Sequence, residues 1–486
     1  VTSDVTIRRA RLIPACSDPV DSELVDVDVS HGRITAVRPH TGVRTGGIDA
    51  DGAVLVPGLW DAHVHFSTHA LLAECLQLPA DADLAEIFDR VRQELVTRRD
   101  DGLLVGFGYR SATWPVQPSA DALDALSLEP IALIAGDLHS LWCNTAGLTA
   151  VGASQHPTGL LREEEAFDAM VHLMRTETTH VDALVRGAER RAAAMGVVGV
   201  VDMEMQWGIG SWLRRLEGGR SLVRVDVATY PEDLDRLIGL GMRTGTQLGD
   251  RLRVGPLKVI SDGSLSSLTA HCLAPYPHPI AGSPNGVANH SPEEMLELLS
   301  RAGRSGIQGA IHAIGDLACR DALDAFERSG AVGTIEHAQL IHPDDLPRFA
   351  NLGVGASVQP AHLLEDEAVL DEVWPTSTDR AFPLRALVDA GARLTLGSDA
   401  PVSPLDPWLA MDVAVNRPHR PGQGLTPAEA LAACTRTRVA VGQPADLALL
   451  TQGPAQLEQG NFTTQNSLIT LIAGELTHGN VDMVDG

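Results

Sequence analysis

Positive charge is in short supply in this chain of 486 residues: 37 Lys and Arg stand against 63 Asp and Glu, for a formal net charge of −26. A surface that acidic attracts neither nucleic acid nor an anionic membrane, so both classes of partner are excluded at the outset. Cysteine is sparse and scattered, at positions 16, 75, 143, 272, 319 and 434, with no CxxC pair. That excludes a small disulfide scaffold and points to buried free thiols. No apolar run approaches the roughly 18 residues a bilayer span needs, and the opening VTSDVTIRRARLIP lacks the pattern of a secretory leader. A cytoplasmic protein is therefore expected. Aromatic residues make up 4% of the chain, which makes Trp60, Trp114, Trp142, Trp207 and Trp374 candidates for pocket walls. What is present, 44% apolar and 21% charged residues, is an ordinary globular composition with enough apolar side chains for a large core.

The texture changes along the chain. VTIRRARLI and VDVDVSHGRITAV alternate apolar and polar residues, the second broken at His31-Gly32-Arg33 by a plausible tight hairpin. PADLALLTQ and SLITLIAGELTHG are strand-like at the far end, the latter interrupted at Gly474-Glu475. A small β-domain built from both termini is expected, from residues 1–56 and 441–486. Between them, helical stretches such as LAEIFDRVRQELVTRR, VDALVRGAERRAAAMG, PEEMLELLSRAGRSG and PLRALVDAG alternate with apolar strand runs. The strand runs include VLVPGLWDAHVH, IALIAGD, VVGVVDME, RVDVATY, LRVGPLKVI, IQGAIHAI, TIEHAQLI, VGASVQP and RLTLGSD. This alternation is that of an α/β protein with a parallel sheet covered by helices, open or closed into a barrel. Residues 66 to about 190 are too many for one strand-helix step, so an insertion over the site, about 70–190, is expected.

His63 and His65, in DAHVH at the end of an apolar strand, point to one side of that strand and can reach one metal ion. Alone, an HxH pair carries little weight. Lys258 in GPLKVISDG, His312 in GAIHAIGD, His337 in TIEHAQ and Asp399 in TLGSDAP also end strand-like runs. Singly, either histidine is more often a hydrogen-bonded core residue, and Asp399 before Pro401 is a common turn arrangement. If the sheet closes, strand ends meet on one rim, and four His, a Lys and an Asp gathered there form a metal site. A buried lysine with a lowered pKa can take up CO2 as a carbamate, whose two oxygens bridge two metals. An aspartate beside metal-activated water can take its proton and hand it to a leaving nitrogen. Such a ligand set suits zinc and also accepts iron, manganese, cobalt or nickel.

These motifs, in this order, resemble the metal-dependent amidohydrolase superfamily, and more narrowly its amidohydrolase-3, or YtcJ-like, branch, which includes N-substituted formamide deformylases. The resemblance rests on VPGLWDAHVH, Lys258, IHAIGD, IEHAQLIHPDDLPRFANLGVGASVQPAH and LGSDAPV, with GFGYRSATWPVQPSADALDALS, GDLHSLWCNTAGL, PTGLLREEEAF and KVISDGSLSSLTAHCLAPY. It runs along nearly the whole chain. It implies a (β/α)8 TIM barrel over 57–440 with a small β-sandwich from both termini and an insertion near the barrel mouth. It also implies one or two divalent metal ions, with zinc expected. His63, His65 and Asp399 would hold the more buried ion, and carboxylated Lys258 would bridge to a second ion on His312 and His337. The implied reaction is hydrolysis of an amide, formamide or similar C–N bond by metal-bound hydroxide, with Asp399 as general base and then acid. His139, Asn144, Trp114 and Tyr109 are candidate substrate-binding residues, and Asp262 a residue that orients the site. Leu268 stands where relatives usually carry an Arg, which removes a cation near the rim and suggests a less anionic substrate. A deaminase of the same superfamily is the alternative enzyme, but its usual Glu three residues after the fifth-strand His is missing, since Ala313, Ile314, Gly315 and Asp316 follow His312. A phosphotriesterase-like activity finds no phosphate-binding loop or basic cluster. An inactive scaffold is the alternative outside enzymes, and the six retained ligand-type residues speak against it. The expected partner is a small-molecule substrate, with a homo-oligomer left open.

Overall fold

In the computed structural model, residues 4–42, 46–98, 102–111, 114–173, 178–280, 282–417, 420–462 and 466–479 are described. Eight parallel strands form the central sheet: β1 (Leu59–Val64), β2 (Val197–Asp202), β3 (Arg224–Thr229), β4 (Leu252–Ile260), β5 (Gly309–Ala313), β6 (Gly333–His337), β7 (Gly355–Val358) and β8 (Leu394–Leu396). Each pairs with its sequence neighbour, and β1 and β8 lie at the two ends of the path. Several of these strands are buried on both faces: all six residues of VVGVVD in β2 and all five of GAIHA in β5 are buried. Such runs are characteristic of parallel strands covered by helices.

The ends of the sheet meet at their C-terminal edge. Asp399 N–H donates to the His63 carbonyl at 2.7 Å and His65 N–H to the Ala400 carbonyl at 2.9 Å. The Asp61 carboxylate, on β1, accepts from Ser398 N–H at 3.0 Å. Gly397 makes this approach possible, because a Cβ there would lie 2.7 Å from His63 N. The sheet is thus a nearly closed barrel, seamed where His63 and Asp399 sit.

The helices anticipated from their spacing are present as Leu84–Thr97, Thr178–Ala194, Pro292–Arg304 and Leu384–Asp389. Pro292–Arg304 opens with a reciprocal Ser291–Glu294 capping box. IALIAGD is a strand, Ile131–Ala135, but not of the barrel. It lies in a five-stranded sheet with Leu76–Gln77, Leu104–Tyr109, Ser140–Cys143 and Leu160–Arg162, all in the stretch between β1 and β2. Periodicity could not separate the two sheets, because Ile131–Ala135 is as fully buried as β2 and β5 of the barrel.

Strands from both ends of the chain join one further sheet. Its path runs Glu475–His478, Ser467–Ile472, Leu447–Leu450, Val54–Pro57, Val5–Leu12, Val25–Ser30 and Arg33–Pro39, with Ile48–Asp49 beside Val5–Leu12. The hairpin at His31-Gly32 has both turn residues at positive φ, 51° and 74°, as a tight two-residue turn requires. The last hairpin turns at Ala473-Gly474, one residue before the expected pair.

Candidate metal centre

His63 is the hub of the site. It is fully buried, and its Nδ1 lies 2.7 Å from Glu336 Oε2 on β6. With Nδ1–H donating to that carboxylate, the Nε2 lone pair faces the barrel mouth, where Lys258 Nζ donates to it at 3.0 Å. Lys258 is 1% exposed and is the sole lysine of the chain, every other residue in the Lys and Arg count being arginine. Burial lowers its amine to about 8. Burial, reinforced by the Lys258 charge, also lowers His63, which keeps the imidazole neutral and able to bind a cation.

Asp399 faces imidazoles with both oxygens. Oδ1 lies 3.4 Å from His63 Nε2 and 3.3 Å from His65 Nε2, and Oδ2 lies 3.3 Å from His362 Nε2. Burial would raise its carboxyl, but His63, His362 and His65 hold it well below the usual range. Among the described residues, two groups have donor atoms close enough to hold one ion each: His63, His65 and Asp399, and His337, His362 and Asp399. The His337 Nδ1 is buried without a hydrogen-bond partner. An orphaned imidazole nitrogen beside a carboxylate suits a divalent cation, and the donor set of nitrogen and oxygen fits one. His337 and Asp399 both have positive φ, 71° and 56°. For non-glycine residues this is strain of the kind that collects at functional sites.

The structure redistributes some expected roles. His312 ends β5 with its ring 4.4 Å from that of His337, but its Nε2 lies 3.2 Å from the Gly263 carbonyl, and the described donors group His362, not His312, with His337. Asp262 clamps the backbone behind it, accepting from Ile314 N at 3.0 Å and from Gly315 and His271 N at 2.9 Å. Its burial raises the carboxyl to about 7.

Among the expected substrate-binding residues, His139 does reach the pocket, its ring 5.5 Å from that of His312 and its Nδ1 3.0 Å from Glu163 Oε2. Burial would lower its pKa, but Glu163 and Asp137 raise it to about 9. Asn144 is a correction. It is fully buried away from the pocket as a helix cap, its Oδ1 accepting from Gly147 N at 2.7 Å and Ile131 N at 2.9 Å. Its Nδ2 donates to the Glu129 carbonyl at 2.8 Å and the Ser127 carbonyl at 3.1 Å, so it has nothing left to offer a substrate. Tyr109 and Trp114 pack against each other within the insertion, ring centres 5.7 Å apart and planes tilted by 30°, and line cavities beside the metal pocket. The side chain of Leu268 also lies in one of those cavities, together with Arg110 and Arg162. A cation missing at position 268 therefore leaves arginines in the same wall, and the inference of a less anionic substrate does not follow.

Glu336 and His362 were not singled out in the sequence. Glu336 sits directly before His337, and His362 lies on a short turn, Pro360–His362, after β7. The signal that could have found Glu336 is its place on a strand directly before the chosen His337; His362, on a turn after the strand, carries no such mark.

The fold and site together define a metal-dependent hydrolase class. The pattern of the Amidohydrolase family (Amidohydro_3) matches residues 46–478, and the chain belongs to that family. It is 27% identical over 401 residues to the putative amidohydrolase YtcJ of Bacillus subtilis, covering 76% of this chain and 74% of that protein. It is 25% identical over 532 aligned positions to the N-substituted formamide deformylase of Arthrobacter pascens, covering 93% and 94%. These relatives support the YtcJ-like branch. The crystal structure of an uncharacterized metal-dependent hydrolase from Pyrococcus horikoshii superposes with a TM-score of 0.76 at 24% identity, over 94% of this chain and 99% of that one.

Proposed function

We propose that this chain hydrolyses carbon–nitrogen bonds of small amides or formamides, outside peptides, at a divalent metal centre for which zinc is the first candidate. The observation that carries the reading is Asp399, a carboxylate with one oxygen toward His63 and His65 and the other toward His362. His63, His65 and Asp399 would hold one ion, and His337, with Asp399 and His362 or with His312, would hold a second. A metal held there supplies water activation and carbonyl polarisation.

The protein's own residues do the rest. Glu336 fixes the His63 tautomer and keeps its Nε2 aimed at the site. Asp399 accepts the proton of the attacking water and delivers it to the leaving nitrogen. Lys258, whose amine is easily neutral, forms an N–C bond to CO2 with loss of a proton, and the carbamate places two oxygens beside His63. His139, held by Glu163, lies where it touches the substrate. His139, His312, His337, His362 and Asp399 line one small pocket, ≈ 30 Å³, so the groups that bind and those that move protons face the same space. Deamination is not favoured: Asp316, the first acid after His312, is engaged by Leu273 N at 2.8 Å and Arg380 at 3.1 Å. Residues 1–56 and 441–486 would make up a small β-sandwich domain, built on the one sheet they share, beside a 57–440 barrel.

The test is release of amine from N-formyl and N-acyl amides by purified protein. Activity lost on chelation and restored by added zinc or another divalent ion is expected. Turnover that survives complete metal removal overturns the reading.

A further inference from the structure

Two cavities open beside the metal pocket, and Arg110 and Ser266 line all three. The larger, ≈ 630 Å³, has Asp81, Asp83, Glu365 and Asp366 on its wall, with Trp114 and Val369 as apolar surface. The smaller, ≈ 310 Å³, has Arg110, Arg162 and His278 together with hydroxyl groups, and Asp137 as its acid. The charges in the two are differently committed. Arg110 forms ion pairs with Glu365 and, at 3.7 Å, with Asp366, both on the wall of the larger cavity. The Asp137 carboxylate already accepts from Ser264 and Ser266 Oγ at 2.7 Å and from His139 N at 3.1 Å.

Arg162 is different. It ends the strand Leu160–Arg162 at the cavity wall, and its Nη2 donates to the neutral Gln117 Oε1 at 2.9 Å. Among the described residues no carboxylate pairs with it. A guanidinium presents a planar fork of donors that matches a carboxylate in two parallel hydrogen bonds. The larger cavity sets four acids against the single Arg110 and so repels a carboxylate, and an anionic arm is sorted into the smaller one.

We infer that the substrate of this site is an amide bearing a carboxylate, which docks on Arg162 in the smaller cavity while the amide lies in the metal pocket. This rests on the proposed hydrolase reading. Water adds across the C–N bond, its oxygen going to the acyl carbon and its hydrogens to the released amine, and the docked carboxylate is unchanged. Arg162 acts by holding the substrate and takes no part in the bond change.

N-acetylglycine and N-acetylglycinamide test this, since they are achiral and differ only at one end, carboxylate against carboxamide, with cleavage of the acetyl amide read as release of glycine or of glycinamide. The ratio of their kcat/KM values is measured for metal-loaded wild type, Arg162→Gln and Arg162→Lys. Wild type is expected to prefer the acid, and Arg162→Gln to lower that ratio by about tenfold or more, chiefly through KM, with partial recovery in Arg162→Lys. Calorimetric titration of N-acetylglycine into Asp399→Asn and Asp399→Asn/Arg162→Gln proteins reads binding without turnover, and the second is expected to bind at least about tenfold more weakly. Turnover of both amides with a ratio that Arg162→Gln leaves unchanged overturns the inference and leaves the hydrolase reading standing. Arg162-dependent binding of the acid with no turnover of either amide overturns the hydrolase reading instead. Thermal melts of each variant confirm that it is folded.

Discussion

At the scale of residues, the chemistry converges on two side chains that a protein interior rarely tolerates. Lys258 and Asp399 are both buried, and each makes its polar contacts with imidazoles of the same centre. Replacing Asp399 by Asn keeps the shape and removes the proton acceptor. Turnover is expected to fall by about 10²-fold or more while bound metal is largely retained, as measured by steady-state kinetics and elemental analysis on the same sample. Full activity in that variant contradicts the acid/base assignment. The ligand-type residues at strand ends were legible because a charged or imidazole side chain interrupts an apolar run there. His362 was not, because it follows β7 on a turn with no strand pattern to mark it. Asn144 misled for the opposite reason: a polar residue beside a motif histidine reads as a pocket residue, while its four hydrogen bonds to backbone show a cap.

At the scale of elements, the insertion and the barrel helices are held by such caps. Asn144→Ala leaves two buried N–H groups and two carbonyls without partners, and a loss of about 2–4 kcal/mol is expected in denaturant unfolding. If that variant unfolds at the wild-type midpoint, Asn144 is not the cap described. A second element-scale prediction concerns the helix Pro427–Ala433. Its Glu429 closes a capping box with Thr426 and forms a forked pair with Arg385, which lowers its carboxyl from 4.5 to about 2. A depressed carboxyl stabilises fully above its unfolded value and loses that contribution as pH falls through the folded one. The stability gap between wild type and Glu429→Gln is therefore expected to be constant above 4.5 and to narrow below it toward about 2. Chemical denaturation at a series of pH values reads it, and a gap that widens on acidification contradicts the assignment. Helix positions were legible from spacing and caps. The membership of Ile131–Ala135 in the insertion sheet was not, since a fully buried strand shows the same apolar run in either sheet.

At the scale of the whole molecule, the two ends of the chain share one sheet, while the seam of the barrel brings residues 63 and 399 together. Among the described residues no helix is long and apolar enough to cross a membrane. The alternation of strand and helix made the barrel legible. Its closure depends on Gly397 meeting His63, a contact between residues far apart in sequence that periodicity cannot reveal. The account as a whole requires that the barrel mouth hold metal and that the chain's sole lysine take part in holding it. Native mass spectrometry of protein purified without chelators, wild type beside Lys258→Ala, reads both at once. The account predicts about two divalent ions per wild-type chain together with the added mass of one CO2, and in the variant no CO2 and about one ion or fewer. Wild-type and variant chains carrying the same number of ions and no CO2 would contradict it.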